Sequence, residues 1–88
     1  MEKRMHAAVE AKREEILAFV PELVSIRSVT GQEAPVAAAV EKKLRELGFD
    51  DVQTDCTGNV IGSVGTGATT ILFDGHMDTV DVIDGDRW

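Results

Sequence analysis

The residues best suited to chemistry lie near the C-terminal end, in "ILFDGHMDTVDVIDGDRW", residues 71–88. An apolar run there leads into Asp74, Gly75, His76, Met77 and Asp78. In an extended segment, residues two apart project to the same side, so His76 and Asp78 share a face. A neutral imidazole is a good ligand for Zn²⁺, and a carboxylate that accepts its other N–H fixes the tautomer and orients the ring. Histidine and aspartate at this spacing can therefore supply a metal ligand and the group that steadies it. On spacing alone, a surface histidine beside aspartates is the commoner occurrence. One histidine also cannot hold a metal, since catalytic zinc takes about three protein ligands and structural zinc four. The other histidine, His6, lies in a charged N-terminal stretch. Asp81, Asp84 and Asp86 could add oxygen ligands, but Asp-Gly-Asp is a common turn and the spacing is not that of a calcium-binding loop.

Two other features read as structure. Cys56, the single cysteine, sits in "TDCTGN" and cannot form an internal disulfide; its expected role is a small half-buried residue near a turn. The Gly65-Thr66-Gly67 segment falls between two expected strands, with no following helix to offer its N-terminus to a phosphate, so it reads as a turn.

The elements that must position these residues follow from periodicity. From about Ala7 to Ile26, residues Val9, Ile16, Val20 and Leu23 fall on one helical face with Leu17 and Val24 beside it, which predicts an amphipathic helix. Pro21 lies inside it and lacks the N–H that would bond the Leu17 carbonyl, so a kink is expected there. Thr30 and Glu33 form a T-x-x-E capping box ahead of a second helix carrying Val36, Val40, Leu44 and Leu47. Pro35 fits its first turn, Lys42, Lys43 and Arg45 suit its C-terminal end, and Gly48 suits the left-handed position after it. After Phe49 the pattern changes to three short strands, "VQT", "NVIGSV" and "TTILFD", separated by turn residues. The third is apolar and β-branched, as a strand buried on both faces would be, and His76 follows it where open α/β sheets gather their ligands.

Composition bounds the function classes. A chain of 88 residues is at most one small domain, and such a chain buries only ~60–65% of its extended surface. With 43% hydrophobic residues it is globular in composition, and its three Phe, one Trp and no Tyr leave the core to Val, Ile and Leu. The net charge of −7 and the absence of a contiguous basic stripe argue against a nucleic-acid partner. No apolar run approaches the ~20 residues that span a bilayer, and the charged N-terminus does not read as a secretory signal. A cytoplasmic location without membrane contact is the expectation.

The ordered segments "LVSIRSVTGQE", "ELGFDDV", "GNVIGSVGTG", "ILFDGHMDTV" and "GDRW" closely resemble the N-terminus of the acetylornithine deacetylase, succinyl-diaminopimelate desuccinylase and glutamate carboxypeptidase family of dinuclear zinc hydrolases. The resemblance runs from about Glu15 to Trp88, and within the family it is strongest to the branch of selenium-metabolism hydrolases and general peptidases. It implies that His76 is a zinc ligand and Asp78 the catalytic carboxylate that orients it. The implied fold class is α/β: two N-terminal helices and then three strands, the first part of a zinc-exopeptidase-like catalytic domain with a mixed sheet. The implied cofactor is zinc, two ions per complete site, with cobalt or manganese as alternatives, and the implied substrate is a small acyl-amino acid or peptide amide. Residues 1–88 would then be an N-terminal fragment, inactive alone, whose partner is the remainder of the catalytic chain; the lid domain that makes the full-length family proteins homodimers lies outside it. A freestanding small α/β domain with a structural or interaction role is the competing expectation. The family commonly has proline where this chain has Arg27 and Asp81, which bears on loop rigidity and leaves the metal role untouched.

Overall fold

The computed structural model describes residues 1–80 and contains three helices followed by a two-stranded antiparallel sheet. Helix α1 spans Glu2–Ala11, α2 Arg13–Ser25 and α3 Ala34–Glu46; strand β1 spans Asp51–Thr54 and β2 Val60–Ser63. The long N-terminal helix expected from the sequence is thus divided. The division falls at Lys12, whose φ of −101° and ψ of 6° leave the helical range, while Pro21 is carried inside α2. The Lys12 N–H bonds the Val9 carbonyl in a tighter turn, and the Lys12 carbonyl accepts from Ile16 to start α2.

Helix α3 is the organising element. Pro35 sits in its first turn, Lys43 and Arg45 in its last, and its end is closed by a Schellman arrangement around Gly48, at φ +81°. There the Gly48 N–H bonds the Arg45 carbonyl and the Phe49 N–H the Leu44 carbonyl, satisfying two orphan acceptors. The expected capping box at the other end is not made. Glu33 precedes the helix without a side-chain cap bond, its carboxylate instead accepts from the Gly31 N–H at 2.8 Å, and the Thr30 hydroxyl is engaged elsewhere. A hydroxyl that reaches a carboxylate gains a charge-assisted bond, roughly twice as strong as a neutral one.

The sheet pairs Asp51 with Ser63, Val52 with Gly62, Gln53 with Ile61 and Thr54 with Val60. Val36, Ala37 and Val52 form the buried apolar core between α3 and β1, and Arg45 spans the same seam, bonding the Val52 carbonyl and Glu41. Gly62 is required by packing: a Cβ there would stand 2.8 Å from Phe49 Cδ2 and 2.9 Å from Leu44 Cδ1. Helix α2 meets α3 through Phe19, over whose ring the Lys43 ammonium sits 5.0 Å from the centroid. The apolar face expected on the first helix is largely uncovered, with Val9, Ile16, Leu17, Val20 and Val24 exposed and Phe19 and Leu23 half-buried.

The third expected strand corrects the count. Residues 69–74 form no ladder among the described residues, and Ile71, Leu72 and Phe73 are 74%, 85% and 89% exposed. A strand apolar on both faces needs neighbours at its edges and layers above and below it, and none of the described residues supplies them for this run. Of the expected mixed sheet, the described residues show an isolated parallel bridge between Val29 and Thr79 and no parallel strand pair. No helix among the described residues is long and apolar enough to cross a membrane.

Candidate metal-ligand site

His76 and Asp78 are brought together as their spacing suggests. The His76 Nδ1 lies 3.0 Å from Asp78 Oδ1 and 3.0 Å from the Asp78 backbone oxygen. Both are acceptors, so the hydrogen-bond network assigns the proton to Nδ1 and leaves the Nε2 lone pair outward. Nε2 has no hydrogen-bond partner among the described residues, and the imidazole side chain is 85% exposed.

The second oxygen of Asp78 is held from the other end of the chain. Thr30 Oγ1 donates to Asp78 Oδ2 at 2.9 Å, across 48 residues. The bond from Thr30, with the smaller contribution of His76, holds the Asp78 carboxyl below its ordinary value. Beside it, the Thr79 N–H donates to the Ser28 carbonyl at 2.9 Å and the two hydroxyls meet at 3.1 Å. Ser28 is the most buried polar residue among those described, at 1% exposure. Residues 28–30 therefore fix residues 78–79 by backbone and side chain together. Sequence reasoning missed this, because nothing local ties Thr30 to a residue so far along the chain; the one signal at Thr30 pointed to a helix cap.

A third wall comes from the hairpin. Asp55 follows β1 and organises the turn to β2: Oδ1 accepts from the Thr57 N–H, the Thr57 hydroxyl and the Asn59 N–H, and Oδ2 accepts from the Asn59 amide. The Asn59 side chain, its backbone N–H and the Thr57 hydroxyl hold the Asp55 carboxyl down to about 2. Gly58 takes the positive φ of 93° that lets the turn close. The tip, Thr57–Asn59, faces His76 across an open cavity of about 240 Å³ whose remaining walls are Glu33 and residues 75–78. Cys56 lies in this turn as expected, but it is exposed where a half-buried position was expected, because the turn projects from the sheet.

The donors present fit one arm of a metal site. An imidazole with Nδ1 bonded to a carboxylate and Nε2 presented outward is the arrangement of a zinc-ligating histidine. Among the described residues no group of three His, Cys, Asp or Glu could hold a metal ion, and His6 lies apart in α1. Asp81, Asp84 and Asp86, the other oxygen donors considered, lie outside the described residues, as do Arg87 and Trp88.

Comparison with known proteins gives a consistent direction. The chain is 41% identical over 62 residues to a [LysW]-lysine hydrolase of Deinococcus radiodurans, covering 70% of this chain and 17% of that protein. It is 34% identical over 76 residues to a succinyl-diaminopimelate desuccinylase of Pseudoalteromonas atlantica, covering 84% and 20%. It is 33% identical over 70 residues to the uncharacterized protein YgeY of Escherichia coli K12, covering 80% and 17%. The chain thus spans about a fifth of the length of the curated relatives it matches. No family model and no solved structure matches it.

Proposed function

We propose that this chain is the N-terminal part of a metal-dependent amidohydrolase or exopeptidase in the desuccinylase-like family, and that His76 is one of its zinc ligands. The observation that carries the reading is the His76 geometry, with Nδ1 bonded to Asp78 and Nε2 presented outward. Likeness to two proteins named as a hydrolase and a desuccinylase supports an amide bond as the target. Within the family, the reading of the selenium-metabolism branch rests on the order of sequence motifs alone.

In this reading His76 would hold the ion through Nε2, with Asp78 keeping the ring in the productive tautomer and raising its basicity. Zinc, or cobalt or manganese in its place, would lower the pKa of water and polarise the scissile carbonyl. The hairpin tip and Glu33 would form the wall of the cleft facing the ligand. The other ligands, the general base and the groups that select the substrate would come from the remainder of the catalytic chain, so residues 1–88 alone would be inactive. Dimerisation through a lid domain and a cytoplasmic setting belong to the same reading. The exposed Ile71, Leu72 and Phe73 favour this over a freestanding domain, because a bare apolar run of that kind is what missing layers of a sheet would cover.

The test is made on the longer chain, obtained by reading the coding sequence past Trp88. Metal content and hydrolysis of N-acyl amino acids would be compared for the unsubstituted protein and His76→Ala. The expected result is loss of bound metal and a fall in activity of at least about 100-fold, at the upper end of what removing a group behind a metal ligand costs. Full activity and metal content in His76→Ala would overturn the assignment, and a stop codon at once after Trp88 would overturn the fragment reading.

A further inference from the structure

We infer that Thr30 is a positioning residue for the metal-ligating histidine: its hydroxyl clamps the Asp78 carboxylate, and Asp78 in turn fixes the tautomer of His76. This rests on the reading of His76 as a ligand. The two Asp78 oxygens are divided between partners, Oδ1 to the His76 ring at 3.0 Å and Oδ2 to Thr30 Oγ1 at 2.9 Å. A carboxylate bonded through one oxygen only can rotate about its χ angles and leave the ring to the Asp78 backbone oxygen alone, the other acceptor 3.0 Å from Nδ1. One bonded through both oxygens to groups on separate segments has its plane fixed.

The segment carrying Thr30 is itself anchored. Ser28 and Val29 are paired to Thr79 by the 2.9 Å backbone bond, the 3.1 Å hydroxyl contact and the parallel bridge. The Thr30 hydroxyl is therefore delivered to Asp78 from a backbone already locked to the residue after it. Thr30 is also released from helix duty, since α3 begins at Ala34 behind Glu33 and takes no cap bond from Thr30. Asp78 is 44% exposed at its side chain, so water competes for Oδ2, and the clamp is what keeps one orientation populated.

The tautomer can be read without metal, from the ring ¹⁵N resonances of His76 in the labelled 88-residue chain at a pH above the histidine range. The unsubstituted chain should show a protonated Nδ1 and an unprotonated Nε2. Thr30→Val, which keeps the shape and removes the hydroxyl, leaves Nδ1 the backbone acceptor and should move both resonances part of the way toward the averaged values of a ring exchanging between tautomers. Thr30→Ser should restore the original pair. An unchanged Nδ1–H ring in Thr30→Val, with the Thr79 amide still protected, would overturn the inference, and so would failure of Thr30→Ser to restore it.

If Thr30→Val loses the protected Thr79 amide, the decision passes to the unsubstituted chain and Thr30→Ser. Nuclear Overhauser contacts between residue 30 and the Asp78 β-protons in both support the clamp; their absence in either overturns it. Failure of the ligand reading would show in the metal content of His76→Ala, whereas failure of the clamp shows in the metal-free ring.

Discussion

At the scale of single residues, the chain uses aspartates as local organisers, and their ionisation should be visible in its pH response. Asp55 gathers four donors around its two oxygens and is held down to about 2. A carboxyl depressed in the folded state stabilises it fully above the unfolded value of about 3.9, and that contribution is lost as pH falls through the folded value. The hairpin turn should therefore loosen between about pH 4 and pH 2, read as loss of protection at the Asn59 amide. Asp55→Asn should flatten the response in that window, since the amide no longer titrates. The Asp78 carboxyl is displaced in the same direction, so its bonds to Thr30 and His76 should likewise weaken as pH falls below the ordinary carboxylate range. The pairing of His76 with Asp78 was legible in the sequence because the two are neighbours in an extended segment. Thr30 was not, because its partner lies 48 residues away and its local context spelled a different motif.

At the scale of elements, periodicity and turn chemistry anticipated α3, β1 and β2, and the glycine after α3, because each is decided by residues within a few positions of one another. Gly48→Ala should cost about 1–2 kcal/mol, the penalty for placing a Cβ in a left-handed conformation, seen as a lowered urea midpoint. Gly62→Ala should cost about 1–3 kcal/mol for a different reason, the displacement of Phe49 and Leu44 from the face of β2. A double variant with Phe49→Leu should recover part of the second loss and none of the first. The third strand and the single N-terminal helix were misjudged on physical grounds. The apolar pattern of "TTILFD" records the neighbours a segment is suited to, and the described residues do not supply them. Pro21 costs a helix one bond, but it can stay inside α2, whereas the turn at Lys12 carries no signal in residue type that would have placed it.

At the scale of the whole molecule, the thin core is the dominant fact. The radius of gyration is 15.6 Å, against roughly 12 Å for a compact chain of this length, and the principal extents are 47 × 33 × 20 Å. Among the described residues Val36, Ala37 and Val52 are the buried apolar ones, while Ile71, Leu72 and Phe73 stand in solvent. Phe73→Ser should therefore change the stability of the isolated chain by no more than about 0.5 kcal/mol. In the longer chain, if the run is covered there, a polar replacement should cost at least the ~3–5 kcal/mol of a core phenylalanine truncation. Equal and small effects in both, measured by denaturant unfolding, would count against the fragment reading.

The bond between Ser28 and Thr79 has a further consequence, for the order in which the molecule assembles. It joins residues 51 apart, whereas the Asp55 turn closes over about five positions. Loop-closure entropy makes the longer link about 2 kcal/mol harder to form. The hairpin and α3 should therefore form early, with the strap across His76 closing last and opening first. In hydrogen exchange the Thr79 amide should trade its proton sooner than the amides of the β1–β2 ladder, so the histidine would be held against Asp78 only at the end of folding.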